Sequence, residues 1–128
     1  MNARRRARGA AARQSGRRAE WTAALWLMLK GYRILGFRLK TRAGEIDLLA
    51  LKKDVLAVVE VKQRATLEAA LECVAPEQRE RLRRAGRILA AGRAAFRGLT
   101  VRLDLVALAP GRVPRHIPDA WKDEAGSL

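Results

Sequence analysis

One cysteine, one histidine and one tyrosine occur in 128 residues, and each scarcity closes a route. A lone Cys73 forms no internal disulfide, which fits a reducing cytoplasm, and it reads as a small buried hydrophobe rather than a nucleophile. With His116 the only imidazole, no Cys/His spacing of the kind that builds a zinc site exists. Long apolar runs are missing as well. The stretch at 21–29 falls far short of the roughly 20 residues that span a bilayer, and Glu20 precedes it. Arg17-Arg18 ahead of that stretch looks like a twin-arginine export signal, yet Lys30-Gly31-Tyr32-Arg33 stands where a small-residue cleavage site is required. Neither export nor a membrane partner is expected, and the location expected is cytoplasmic.

Acidic residues are the other shortage: 13 Asp and Glu against 27 Lys and Arg leave a net charge of +14. Such a surplus favours polyanionic partners through counterion release, nucleic acid first among them. An anionic membrane surface or a structural ribosomal role would draw on the same charge. Residues 1–18 hold seven of the arginines, no acid and, after Met1, no aliphatic side chain larger than Ala. They cannot bury a core, so residues 1–14 read as a disordered basic arm. Without residues 1–18, 20 basic residues still face 13 acidic ones, about +7. Residues 15–121 form one domain of ordinary size, and 122–128 a polar tail.

What is present is a clear order of elements. Ser15 is a candidate N-cap for a helix over 17–30, with Trp21, Ala24, Leu25, Met28 and Leu29 at helical spacing and Gly31 as a stop. Ala23, Trp26 and Leu27 make its remaining face apolar too, which implies packing on more than one side. A first strand fits 32–39. Residues 45–51 and 55–62 are short apolar runs around Lys52-Lys53-Asp54, the pattern of a hairpin of well-buried strands. Pro76 opens a second long helix, 77–96, with an apolar stripe of Leu82, Ala85, Leu89, Gly92 and Phe96. Residues 100–107 form a further strand, with Val101, Leu103 and Leu105 on one face, and 112–117 add a short edge strand. The order αβββαβ predicts an α/β fold with a central mixed sheet flanked by helices.

The chemistry rests on the hairpin. Alternation puts Asp47 with Glu45, Leu49 and Leu51 on one face, and Glu60 with Leu56, Val58 and Lys62 on one face of the next strand. Pairing Leu51 with Leu56 sets Asp47 opposite Glu60, with Cβ atoms about 4.5–5.5 Å apart. Two carboxylates so close repel, and a shared proton, a cation or a divalent ion must compensate. Mg²⁺ takes one or two carboxylates at about 2.0–2.1 Å plus waters and phosphate oxygens. Lys62 on the same face then stands ready to orient water or offset charge on a phosphate. An acid-x-Lys triplet by itself says nothing, because 13 acids and six lysines in 128 positions produce about 0.6 by chance. Its place at the end of an apolar strand is the signal; a strand end that merely reaches solvent is the competing reading. Glu20 suits a helix start through the macrodipole, or supplies a third acidic ligand if the helix crosses the hairpin. Asp104 reads as structural, holding an arginine. The basic candidates for phosphate contact are Arg64, Arg79, Arg83, Arg84 and Arg87, the last four on a helix face that could equally be solvated surface.

Taken in order, Gly16-x-x-Ala19-Glu20, Lys30-Gly31-Tyr32-x-Ile34-Leu35, Gly44-Glu45-Ile46-Asp47-Leu48-Leu49-Ala50, Val59-Glu60-Val61-Lys62-x-Arg64, Arg102-x-Asp104 and His116-Ile117-Pro118-x-Ala120 resemble the YraN-like family of uncharacterised bacterial proteins. The likeness covers about residues 15–121. That family is similar to the restriction-endonuclease-like superfamily, whose acid…(Asp/Glu)-x-Lys signature falls on Asp47, Glu60 and Lys62. Archaeal Holliday junction resolvases resemble it further, with a helix-borne acid at the position of Glu20. The resemblance implies a Mg²⁺- or Mn²⁺-dependent endonuclease acting on DNA, branched DNA included, with Asp47, Glu60 and Glu20 as metal ligands. Junction-cutting enzymes act as symmetric pairs, so a homodimer is compatible, although no interface signature is visible. Two features differ from the family pattern: Pro76-Glu77-Gln78-Arg79 replaces a lysine-rich helix start, leaving Gln78 as a polar contact, and residues 64–75 are compact and lack Gly.

Overall fold

The computed structural model describes residues 3–122, with side chains described from Gly16 onward. The chain runs α1 (Ala3–Leu29), β1 (Arg33–Thr41), β2 (Gly44–Lys52), β3 (Val55–Gln63), α2 (Leu67–Glu72), α3 (Pro76–Gly92), β4 (Thr100–Leu108) and β5 (Arg115–Ile117). One five-stranded sheet has the order β1-β2-β3-β4-β5. Strands β1, β2 and β3 form an antiparallel meander, β4 lies parallel to β3, and β5 pairs antiparallel with β4. The sheet is therefore mixed, as expected, and α2 and α3 together make the crossover that a parallel pair requires.

Each face of the sheet has its own core. On one, α3 lays Leu82 and Ala85 over Leu49, Leu56, Val58, Leu103 and Leu105. On the other, α1 lays Ala23, Ala24 and Leu27 over Leu48, Ala50, Ala57, Val59 and Val106. Strands buried on both sides explain why β2 and β3 read as near-continuous apolar runs rather than alternating ones.

Three expectations change. The backbone of α1 is helical from Ala3, so Ser15 lies inside the helix and not at its N-terminus; Ala and Arg propagate helix well. The expected arm, residues 1–14, falls where side chains are not described, and the tail beyond Lys122 lies outside the described residues. Of the stripe foreseen on α1 only Ala24 is buried: Trp21, Leu25, Met28 and Leu29 are exposed, while Ala19, Ala23 and Leu27 join Ala24 in facing the sheet. Small side chains let the helix approach the sheet closely, and that fit outweighs the larger apolar bulk on the other face. Finally, the compact segment after β3 contains a helix, α2, whose N-cap Thr66 accepts a hydrogen bond at Oγ1 from Ala69 N at 3.1 Å.

The α3 helix meets the sheet at Gly86. A Cβ there would stand 2.6 Å from Val58 Cγ2 and 2.7 Å from Val101 Cγ1. Alanine would gain about 1 kcal/mol of helix propensity, against about 1–3 kcal/mol of overpacking. Gly86→Ala is expected to lower the denaturation midpoint, checked by urea titration with the slope unchanged.

Candidate active site

The hairpin pairs in the expected register, Leu51 with Leu56, through Leu48 with Val59. Beyond Leu48 the strands part. Ile46 packs in the same core as Leu49, although strict alternation would send it to the other face, so β2 turns over at Asp47. The Asp47 carboxylate fills the gap in the ladder: Oδ2 accepts the Val61 backbone N–H at 3.0 Å. The two acids are therefore brought together by a fork between strands, not by a continuing ladder.

Glu60 is only 3% exposed at the end of this fork. Its Oε1 takes Lys62 Nζ at 3.1 Å and Gln78 Nε2, from the first turn of α3, at 3.4 Å. Its Oε2 is buried with no hydrogen-bond partner among the described residues. Asp47 is close enough for its charge to be felt at Glu60. Burial first, and then the Asp47 charge, push Glu60 up to about 7, against the pull of Lys62. Burial also raises Asp47, with the Val61 N–H and the Lys62 charge acting against it. The pair thus retains a proton under conditions where an exposed carboxylate has lost it.

Glu20 comes to the same corner from α1. It is buried and ion-paired with Arg38. Burial raises its pKa, Arg38 lowers it, and the charges of Asp47 and Glu45 are both felt there. Gly16, Ala19, Glu20, Asp47, Lys62 and Arg64 help to line an open cleft of about 410 Å³. Among the described residues no three Asp, Glu, His or Cys side chains are gathered as a ready metal cluster; Asp47 and Glu60 form a pair, and Glu20 is turned to Arg38. The orphaned Glu60 oxygen beside a second carboxylate is what a hard divalent cation would satisfy, so the donor set fits Mg²⁺ or Mn²⁺.

Arg38 escaped the sequence reading. It falls opposite Asp47, between the pairs Phe37–Leu48 and Leu39–Ile46, and its φ of 49° lies in the left-handed region. Such a conformation in a non-glycine residue costs about 1–3 kcal/mol and tends to mark functional backbone. Its only trace in the sequence is a cation within a strand, which is common.

The arginine candidates divide. Arg79 donates from Nε to Val74 O at 2.9 Å and lies 5.1 Å from the centre of the Trp121 ring, while Arg83 donates to Trp121 O at 3.3 Å. Both tether the C-terminal segment. Arg87 pairs with Glu80 at the surface, Arg84 is exposed, and exposed Arg64 beside the cleft donates to Gln63 O at 2.6 Å.

Asp104 is fully buried on the α1 side of the sheet, as a structural hub. Arg102 grips it through Nε at 2.7 Å and Nη2 at 2.8 Å, His116 Nε2 lies 2.8 Å away, and Asp119 N donates at 3.0 Å. Arg102 Nη2 also reaches Tyr32 Oη at 2.6 Å, and Lys30 Nζ bonds His116 Nδ1. Cys73 is half-buried, its thiol donating to Ala70 O at 3.1 Å. No described helix is long and apolar enough to cross a membrane.

Comparison with known proteins places these residues in a family. Residues 19–108 match the model of the uncharacterised protein family UPF0102. A UPF0102 protein of Caulobacter vibrioides is 71% identical over 117 residues, covering 91% of this chain and 94% of its own. Another from Paramagnetospirillum magneticum is 51% identical over 116 residues (88% and 90%), and one from Rhizobium meliloti 48% over 106 residues (83% and 87%). The matched segment contains Glu20, Arg38, Asp47, Glu60, Lys62 and Asp104, in agreement with the resemblance carried by the motifs, and the chain belongs to the uncharacterised protein family UPF0102.

Proposed function

We propose that the protein is a divalent-metal-dependent phosphodiesterase that hydrolyses nucleic acid, DNA in the first instance. The observation that carries this reading is the buried Glu60 Oε2 without a partner among the described residues, beside the half-buried Asp47 carboxylate and a lysine ammonium. Asp47 and Glu60 would hold the ion, and Glu20 would join them on leaving Arg38. Bound Mg²⁺ or Mn²⁺ supplies charge that polarises a phosphoryl oxygen and acidifies water. The chain's own groups do the rest. Lys62 orients the attacking water and offsets negative charge gathering on the phosphate. Exposed Arg64, with the +14 net charge, retains the backbone phosphates. Water forms one P–O bond and gives up a proton, the ester P–O bond breaks, and the leaving alkoxide takes up a proton from solvent, so that the step balances.

The test is incubation of pure protein with Mg²⁺ or Mn²⁺ and junction, flap and linear DNA. Cleavage lost in Asp47→Ala supports the reading, and no cleavage of any substrate by wild type at high enzyme concentration defeats it. One observation favours a second reading, a binding module without turnover: Glu20 is already neutralised by Arg38. In that case salt-sensitive binding survives Asp47→Ala and no substrate is cut.

A further inference from the structure

An aromatic pair and a leucine adjoin, in sequence, the residues of the acidic corner on its three elements. On α1, Trp21 follows Glu20; on β1, Phe37 precedes Arg38; on β2, Leu48, the partner of Phe37, follows Asp47. Trp21 and Phe37 lie with ring centroids 4.9 Å apart and planes inclined by 38°. Phe37 packs into the core under α1, whereas Trp21 is 55% exposed. One side of the indole is thus braced by a fixed ring while the rest faces solvent. Trp21 heads an exposed apolar stripe of α1 that continues through Leu25, Met28 and Leu29, and contiguous apolar surface of this kind marks an interaction site.

The surroundings of the ring say what covers it. Arg17 and Arg18 lie one helical turn before Trp21, on its side of α1, and both are exposed. Arg38, 41% exposed at its side chain, lies 5.9 Å from the centre of the Phe37 ring. Two copies of the chain meeting here would bring these cations against one another. A polyanion with a flat apolar group relieves that charge, and a nucleotide has both parts.

We infer that Trp21, braced by Phe37 and flanked by Arg17, Arg18 and Arg38, is a stacking subsite for an unpaired base next to the phosphate that would be cleaved at Asp47, Glu60 and Lys62. The inference rests on the proposed nuclease reading and narrows its substrate to nucleic acid with an unstacked nucleotide at the cleavage point. A base within continuous duplex has both faces covered by its neighbours and cannot take this place.

Binding measured in EDTA, by fluorescence anisotropy at fixed salt, separates the subsite from catalysis. Single-stranded DNA and a blunt duplex are compared, with 2-aminopurine also placed in the single strand. Trp21→Ala is expected to weaken single-strand binding about tenfold, to change duplex binding less than twofold and to abolish the 2-aminopurine quenching. Trp21→Phe is expected to keep most of the affinity and the quenching, which guards against a mere folding defect. Equal effects on both DNAs, or none, overturn the subsite while leaving Asp47-dependent cleavage in place. A wild-type dimer that becomes a monomer in Trp21→Ala, with DNA affinity unchanged, assigns the face to a second copy and overturns it as well. If wild type binds neither DNA, the subsite falls, while the nuclease reading is decided by cleavage with Mg²⁺ or Mn²⁺.

Discussion

Glu60→Gln is expected to abolish metal-dependent cleavage and, in metal-free protein at pH 8, to raise thermal stability. Glu60 is held at about 7, chiefly by burial and then by the neighbouring Asp47 charge. Its folded pKa therefore lies above the unfolded value of about 4.5. Stability from the protonated carboxyl is complete below pH 4.5 and is lost as pH rises through 7. At pH 8 the native state carries an ionised pair in a poorly solvated corner, which the shift puts at roughly 3 kcal/mol at most. An amide cannot ionise, so the variant escapes that cost, less what Lys62 gives up on losing its partner. A gain on the order of 1–2 kcal/mol at pH 8 and none at pH 5 is expected from melting curves in EDTA. Equal Tm changes at both pH values would show that the carboxyl does not retain its proton. Adding Mn²⁺ should stabilise wild type more as pH rises through 7, because the ion displaces that proton, and should leave Glu60→Gln unmoved.

The largest loss of stability is expected at Asp104, the strand partner of Val59 on the α1 side of the sheet. Removing this buried carboxylate leaves the Arg102 guanidinium, the His116 ring and the Asp119 N–H without their common acceptor. Breaking one side of a buried charge network typically costs about 3–5 kcal/mol. Asp104→Ala should therefore lower Tm by on the order of 10 °C or more, measured by calorimetry at pH 7. Burial alone would raise the Asp104 pKa, but hydrogen bonds from Arg102, His116 and Asp119 N outweigh it and hold the carboxyl below its usual range. Its contribution is present above about pH 4 and is lost as pH falls through the lower folded value. The deficit of Asp104→Ala should accordingly shrink in acid. A deficit unchanged between pH 7 and pH 3 would contradict this account.

The candidate site was partly legible in the sequence. Hairpin register follows from side-chain alternation and loop length, both local, so the approach of Asp47 to Glu60 was within reach of pattern reasoning. The means of approach was not. A sequence pattern assumes that a strand keeps its partner, whereas β2 leaves β3 at Asp47, and the aspartate side chain takes the Val61 N–H in place of the ladder. Gln78, read as a polar contact, reaches Glu60 because α3 begins beside it. Arg38 was invisible, since its role depends on a left-handed φ and on where α1 delivers Glu20.

Composition and periodicity by themselves determined the basic character of the protein, the αβββαβ order, the two-sided burial of β2 and β3 and the pairing of Leu51 with Leu56. Each of these depends on near neighbours in the chain, or on the solvation preferences of single side chains. Only the tertiary structure decided which apolar face of α1 turns inward, that Arg79 and Arg83 hold the Trp121 segment, and that Asp104 gathers Arg102, His116 and Asp119, with Tyr32 behind Arg102. Those outcomes turn on the fit between surfaces distant in sequence. Closeness of approach and the low dielectric of the interior choose among arrangements that the linear pattern leaves equal.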